Sequence, residues 1–203
     1  MTKIKLCGLT RPCDIAVANA YAPDYIGFVF AQQSRRYLSY ENAALLKKQL
    51  APGILAVGVF VDEDYAIIAD LLRRGIIDAA QLHGDESDHY IKKLRALTDQ
   101  PIIKAFRIDH EHDMFAASSS TADYVLLDSG SGGTGTVFHW EWAKQLHRPF
   151  FLAGGLCPDN VQSACETLHP YAVDVSSGIE YDGLKDEAKI WAFVKAIRNS
   201  REG

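Results

Sequence analysis

Apolar residues along the chain gather into eight short runs rich in β-branched and aromatic side chains: IKLC (4–7), YIGFVF (25–30), LAVGVFV (55–61), DAAQLH (78–83), IIKAF (102–106), YVLLD (124–128), FFLAG (150–154) and AVDVSS (172–177). Their length and composition predict buried strands. The spacing changes between them. Ile67, Ile68, Leu71 and Leu72, then Tyr90, Ile91, Leu94 and Leu97, and last Ile190, Phe193, Val194 and Ile197 recur at three- and four-residue steps, which is one face of a helix. Helix starts are predicted at Pro12 after Thr10, after Ser87, and at Pro158 after GGLC. A proline there gives up an N–H that has no helical partner, and a serine hydroxyl accepts one.

Strict alternation of strand and helix implies a parallel sheet covered by helices, and eight units are the number that closes a barrel. The expected fold is therefore α/β, a (β/α)8 TIM barrel spanning residues 1–203 as one domain with short loops. An open doubly wound sheet is the competing architecture. Its usual G-x-G-x-x-G after the first strand is missing beyond IKLC.

Barrels of this kind work at the carboxyl ends of their strands. That places Cys7, Arg35, Arg36, His83, Lys104, Asp128, Gly154, Gly155, Ser177 and Gly178 around one mouth. Each has a bland reading beside the chemical one. Asp128 could cap the turn that follows it or act as a mouth carboxyl. His83 shares a face with Gln81 and is either a hydrogen-bonded rim histidine or a substrate neighbour. Arg36 is a solvated cation or a bidentate partner for a substrate carboxylate. Lys104 could form an aldolase Schiff base, pair with a carboxylate, or act as an electrostatic neighbour of the site. Lys5, two residues before Cys7, should share its face and needs a barrel carboxylate as partner. The glycine-rich SGSGGTGT (129–136) lacks the Gly-Lys-Ser/Thr of a Walker loop and reads as a lid. LAGGL and VSSGIE follow strands seven and eight, where barrels commonly hold a phosphate through backbone N–H groups.

Composition narrows the partners. The chain is 48% hydrophobic with a formal net charge of -5, and no basic stripe is available to neutralise a nucleic-acid backbone. No apolar stretch approaches the roughly 20 residues of a membrane span, so a cytoplasmic protein is expected. Cys7, Cys13, Cys157 and Cys165 match no zinc or redox spacing and read as free thiols. Cys165 falls on an apolar helical stripe with Val161, Ala164 and Leu168. The histidines are scattered, so no metal is called for.

KLCGLT (5–10), GFVF with SRRYLS (27–39), QLHG (81–84), LLDSGSGGTG (126–135), LAGGLCPDNV (152–161) and VDVSSGIE (173–180) together resemble the phosphoribosylanthranilate isomerase family over the whole chain. Two departures are small: KLCGLT where Lys-Ile-Cys-Gly is more usual, and FHW (138–140), with His139 in the place of an aspartate. The resemblance implies a cofactor-free Amadori rearrangement of a small phosphorylated substrate, in a monomer or homodimer. It also implies roles: Cys7 as general base, Asp128 as general acid, Arg36 on the anthranilate carboxylate, His83 near the substrate, and Gly154, Gly155, Ser177 and Gly178 on the phosphate. An ordinary carboxyl protonated beside an ordinary thiol ionised would coexist at pH 7 in only about 10⁻⁴ to 10⁻⁵ of molecules. The surroundings must therefore shift the balance, and Lys5 is a cation placed to favour the thiolate. Two rivals stand beside this reading, a Schiff-base aldolase using Lys104 and a catalytically silent phosphate-binding barrel.

Overall fold

A computed structural model of the chain describes residues 1–128 and 140–198. The expected lid, 129–136, and His139 lie outside the described residues. Eight parallel strands follow one another around a closed barrel: β1 (Lys3–Cys7), β2 (Tyr25–Val29), β3 (Leu55–Phe60), β4 (Ala79–Leu82), β5 (Ile102–Arg107), β6 (Tyr124–Asp128), β7 (Phe150–Leu152) and β8 (Ala172–Val175). The ring closes where β8 pairs with β1, Lys5 opposite Asp174. Helices alternate with the strands: α1 (Pro12–Tyr21), α2 (Tyr40–Lys47), α3 (Tyr65–Arg73), α4 (Asp88–Arg95), α5 (Asp113–Ser119), α6 (Trp140–Ala143), α7 (Val161–Leu168) and α8 (Glu187–Arg198). A single 3₁₀ turn (Ser177–Ile179) and a hairpin of two short strands, β9 (Glu180–Tyr181) and β10 (Leu184–Lys185), are inserted after β8. Nothing in the hydrophobic pattern announces the hairpin.

Side chains alternate between the barrel interior and the helical shell because a strand has a period of two. Tyr25, Val57, Ile103, Leu126 and Phe151 pack together inside. Ile4, Leu6, Ile26, Phe28 and Phe60 point outward into a larger core shared with the helices. On α8, Ile190, Phe193, Val194 and Ile197 are all buried, as their spacing predicts. Each contributes about 1.5–3 kcal/mol by leaving water. Truncating the central one, Phe193→Ala, would cost about 3–5 kcal/mol. Val161, Ala164, Cys165 and Leu168 of α7 are likewise buried, whereas Ile67 and Leu97 are exposed and Leu97 lies beyond the end of α4.

Helix starts follow local chemistry. Ser87 caps α4 by accepting the Tyr90 N–H, as expected. Pro12 is the first residue of α1, but the capping is done by Asp14, whose carboxylate accepts the N–H groups of Thr10 and Arg11. Pro158 does not start a helix. The Asn160 amide occupies that turn instead, accepting from the Cys157 N–H and donating to the Gly155 carbonyl at 2.9 Å each, and α7 begins at Val161.

The amino end of the barrel is sealed by tyrosines. The Tyr25 and Tyr171 hydroxyls are 3.0 Å apart, Tyr124 donates to Tyr171 at 3.3 Å, and the Lys3 ammonium lies over the Tyr25 and Tyr171 rings. Such rings supply area and a cation–π attraction together.

Candidate active site

Cys7 ends β1 and faces inward with Lys5, and the sequence makes room for it on the neighbouring strand. A Cβ on Gly27 would stand 2.6 Å from the Cys7 sulfur, so the thiol occupies space that any other residue at 27 would claim. Gly8, at φ +79°, then turns the chain away, and the Arg36 side chain packs where a Cβ on Gly8 would lie. Lys5 is fully buried and donates to Asp174 Oδ2 at 2.9 Å. The barrel carboxylate that Lys5 requires is therefore Asp174, across the β1–β8 seam. Its other oxygen, Oδ1, is buried without a hydrogen-bond partner among the described residues.

Electrostatics around the thiol run against one expectation. Burial pushes the Cys7 thiol above its ordinary value, and the lowering pull of Lys5 and Lys185 does not overcome it. Lys5 itself loses from burial but gains more from Asp174 and Cys7, and its pKa lies above the ordinary value. In the free protein the neutral thiol is thus the favoured form, because removing water penalises a thiolate more than these cations repay.

Asp128 ends β6 on the same inward register as Leu126, part-exposed at the mouth. His83 Nε2 is 3.6 Å from Asp128 Oδ2, and His83 Nδ1 is 2.9 Å from the Gln81 amide nitrogen. Gln81 Oε1 is buried without a partner among the described residues. Cys7, Arg36, His83, Asp128, Gly154, Gly155 and Ser177 line one cavity of about 780 Å³. A second hollow opens beside it across His83 and Asp128.

The loops after β7 and β8 meet over this cavity. Gly154 and Gly155 both have positive φ, 82° and 63°, which glycine adopts without strain. Gly178 is packed so closely that a Cβ there would sit 1.9 Å from the Leu156 carbonyl oxygen. Ser177 opens the 3₁₀ turn. The chain therefore crosses itself backbone to backbone at Gly178, which does not line the cavity and instead fixes how the two loops abut.

Arg36 is held sideways. Its Nε and Nη2 donate to the two oxygens of Glu180 at 2.6 and 2.8 Å, and Arg35 Nη2 adds a third bond at 2.8 Å. Lys185 Nζ reaches Glu180 at 2.7 Å and the Ser176 carbonyl at 2.9 Å. Burial works to raise the Glu180 carboxyl, and the Arg36 and Lys185 cations overcome it, holding it at about 2.

Lys104 corrects the sequence reading. It lies on the outward register with Ile102 and Phe106 yet lines the second hollow with His83 and Asp128, and its ammonium is committed to the Gly84 carbonyl at 2.6 Å and Glu86 at 3.0 Å. Of its three sequence readings the carboxylate pair is realised, and its place in that hollow fits the electrostatic neighbour as well. Asp174, Glu180 and Lys185 went unassigned. Asp174 could have been found from the demand of Lys5 for a carboxylate; Glu180 and Lys185 carried no signal beyond a glycine turn at 183. Among the described residues no group of three or more His, Cys, Asp and Glu side chains is arranged to hold a metal, and no helix is long and apolar enough to cross a membrane.

Comparison with known proteins agrees with this geometry. Residues 4–196 match the family model described as N-(5'phosphoribosyl)anthranilate (PRA) isomerase. An N-(5'-phosphoribosyl)anthranilate isomerase of Acetivibrio thermocellus is 42% identical, with 100% of this chain and 99% of that protein covered. Among solved structures, monomers generated from the dimeric enzyme of Thermotoga maritima superpose with a TM-score of 0.87 at 35% identity, covering 98% of this chain and 100% of that one. A phosphoribosyl anthranilate isomerase in complex with reduced 1-(o-carboxyphenylamino)-1-deoxyribulose 5-phosphate gives 0.86 at 34% identity, with the same coverage. With a barrel of this register, these motifs at its mouth and relatives matched from end to end, the chain belongs to the phosphoribosylanthranilate isomerase family.

Proposed function

We infer that the chain catalyses the Amadori rearrangement of N-(5-phosphoribosyl)anthranilate to 1-(2-carboxyphenylamino)-1-deoxyribulose 5-phosphate, an isomerisation of tryptophan biosynthesis carried out in the cytoplasm. The observation that carries the reading is the convergence of an inward thiol and an inward carboxyl, Cys7 and Asp128, on one cavity flanked by Arg36 and the loops after β7 and β8. Family membership supplies the reaction.

In this reading the Asp128 carboxyl protonates the furanose ring oxygen as the C1–O bond breaks. The anthranilate nitrogen lone pair forms a C1=N iminium, which acidifies the C2 proton. The Cys7 thiolate takes that proton, and the C2–H electrons become the C1=C2 bond of an enolamine. Proton return to C1 and loss of the C2 hydroxyl proton give the ketone. Hydrogen has only moved from C2 to C1, so no redox partner enters the balance. Arg36 receives the anthranilate carboxylate, while backbone N–H groups of Gly154, Gly155 and Ser177 hold the phosphate between the loops after β7 and β8, whose approach Gly178 permits. His83, next to Asp128, orients the acid.

The raised thiol pKa is compatible with this chemistry. The form with acid protonated and base ionised is a constant fraction between the two pKa values, so a high thiol pKa shrinks the fraction without removing it. The iminium places a positive charge beside C2 when the thiolate is needed.

Loss of substrate fluorescence measures turnover directly. Cys7→Ala and Asp128→Asn are each expected to reduce it by several orders of magnitude with unfolding curves near wild type. A near-normal rate in either variant overturns the role given to that residue. The aldolase alternative needs a free Lys104 amine, and borohydride treatment with substrate is expected to leave no adduct on it.

A further inference from the structure

Glu180 has a role that the reaction scheme leaves unassigned. It is a carboxylate at 7% exposure, the first residue of β9, in a hairpin that contributes nothing to the barrel. Three cations converge on it: Arg35, Arg36 and Lys185. One negative charge against three positive leaves the group at +2, on the side of the cavity bounded by Arg36.

The manner of binding matters as much as the charge. A guanidinium offers a carboxylate two straight edges, the side edge of Nε and Nη2 and the end edge of Nη1 and Nη2. Glu180 takes the side edge with both oxygens, at 2.6 and 2.8 Å. The end edge, in the same plane, is then presented by a group that can no longer rotate. The stem is fixed too: the side chain fills the space that a Cβ on Gly8 would occupy, with Cδ 2.4 Å from that point. Glu180 is braced in turn by Lys185, whose ammonium also holds the Ser176 carbonyl and hydroxyl at 2.9 and 3.3 Å. Ser176 Oγ donates to the Cys7 carbonyl at 3.2 Å. The clamp and the proposed base thus share one continuous polar framework.

We propose that Glu180 is a positioning residue that makes Arg36 selective for a planar carboxylate, so that the β9–β10 hairpin sets the enzyme's preference for an ortho-carboxylated aromatic amine over the unsubstituted amine. The proposal rests on the reading above, in which Arg36 meets the anthranilate carboxylate. Without Glu180 the guanidinium keeps its charge and still attracts anions. What it loses is a fixed plane, and with it the bidentate match that separates a carboxylate from a general negative charge.

The test uses two stable ligands, the borohydride-reduced products formed from N-(5-phosphoribosyl)anthranilate and from N-(5-phosphoribosyl)aniline. They differ only in the carboxylate. Calorimetric Kd values are measured for wild type, Glu180→Gln, Arg36→Ala and the double variant. Glu180→Gln is expected to weaken the carboxylated ligand about tenfold, equivalent to about 1.4 kcal/mol, and to leave the anilino ligand within about twofold. In the Arg36→Ala background the Glu180 change is expected to have no further effect on either ligand. In turnover, the loss should appear in KM more than in kcat. Glu180→Asp, which keeps the charge and withdraws the carboxylate by one methylene, is expected to show the same ligand-selective loss in smaller measure, and it stands in if the glutamine variant does not fold. Equal weakening of both ligands would mean a merely structural role and overturn the proposal, as would unchanged binding of the carboxylated ligand. A wild type that turns over phosphoribosylanthranilate but binds both ligands equally overturns the clamp alone. Failure of wild type to turn it over, with selective binding intact, overturns the isomerase reading and not the clamp.

Discussion

Replacing Lys5 by methionine keeps most of the stem volume and removes one charge from a pair that water does not reach. Lys5 is at 0% exposure, and Asp174 holds it at 2.9 Å. At that separation and an effective dielectric constant near 20, the attraction is about 6 kcal/mol. Much of it offsets the desolvation of two ions, but the variant retains the desolvation of Asp174 and loses the attraction, and breaking such a pair costs about 3–5 kcal/mol. Against a total stability of about 5–15 kcal/mol for a typical domain, that is a large share. Urea unfolding followed by far-ultraviolet circular dichroism measures it. Lys5→Met should lose about 3–5 kcal/mol, and Lys5→Met/Asp174→Leu should recover most of that, since no charge is left stranded. Activity should not recover with it, because Lys5 also pulls the Cys7 thiol pKa down and every unit of upward shift lowers the thiolate fraction tenfold. The folded Lys5 pKa lies above its unfolded value, so its contribution is complete below about pH 10.4 and is lost as pH rises through the folded value. A single variant that loses less than about 1 kcal/mol, or a double variant as unstable as the sum of its parts, would refute the reasoning.

Three further outcomes follow from the site. The Glu180 carboxyl falls from 4.5 to about 2 on folding, so it stabilises above pH 4.5 and that contribution, about 3 kcal/mol, disappears as pH falls towards 2; acid titration of Glu180→Gln should lack this step. Gly27→Ala puts a methyl group 2.6 Å from the Cys7 sulfur, and kcat is expected to drop at least about tenfold, read alongside a crystal structure in which the thiol has moved. The pH profile of kcat/KM should be flat through neutrality and, on its alkaline side, fall only above pH 9, since burial holds the thiol above its ordinary 9.0; an alkaline falling limb near pH 7 would contradict a thiol base with that environment.

The strand pattern made the barrel legible because each of its eight strands is a short apolar run, with helical spacing recognisable after β3, β4, β7 and β8. Cys7 and Asp128 were legible for the same reason, being the last residues of β1 and β6. Lys104 shows where that logic weakens. In a parallel sheet both faces of a strand are apolar, so hydrophobicity alone does not say whether Ile103 or Lys104 points into the barrel. Partners distant in sequence were hidden differently: 169 residues separate Lys5 from Asp174, and only ring closure brings them together. Glu180 and Lys185 sit on two-residue strands too short for any period to register. The cation beside Cys7 was anticipated correctly, but burial, which decides the sign of the thiol's shift, depends on how tightly β1 and β2 approach at Gly27.

The tyrosine seal at the amino end has a consequence for how such a protein changes over generations. Because Tyr25, Tyr124 and Tyr171 close that end with their own hydroxyls and with Lys3, the doorway lies at the opposite end, where Cys7 and Asp128 line the cavity. Variation at the sealed end acts on the temperature at which the molecule melts; variation at the doorway acts on the reaction and, at braced residues such as Glu180, on stability as well. A lineage moving to a hotter habitat can rework one end while its chemistry stays as it was, and a lineage acquiring a new substrate can rework the other without first rebuilding the floor beneath it.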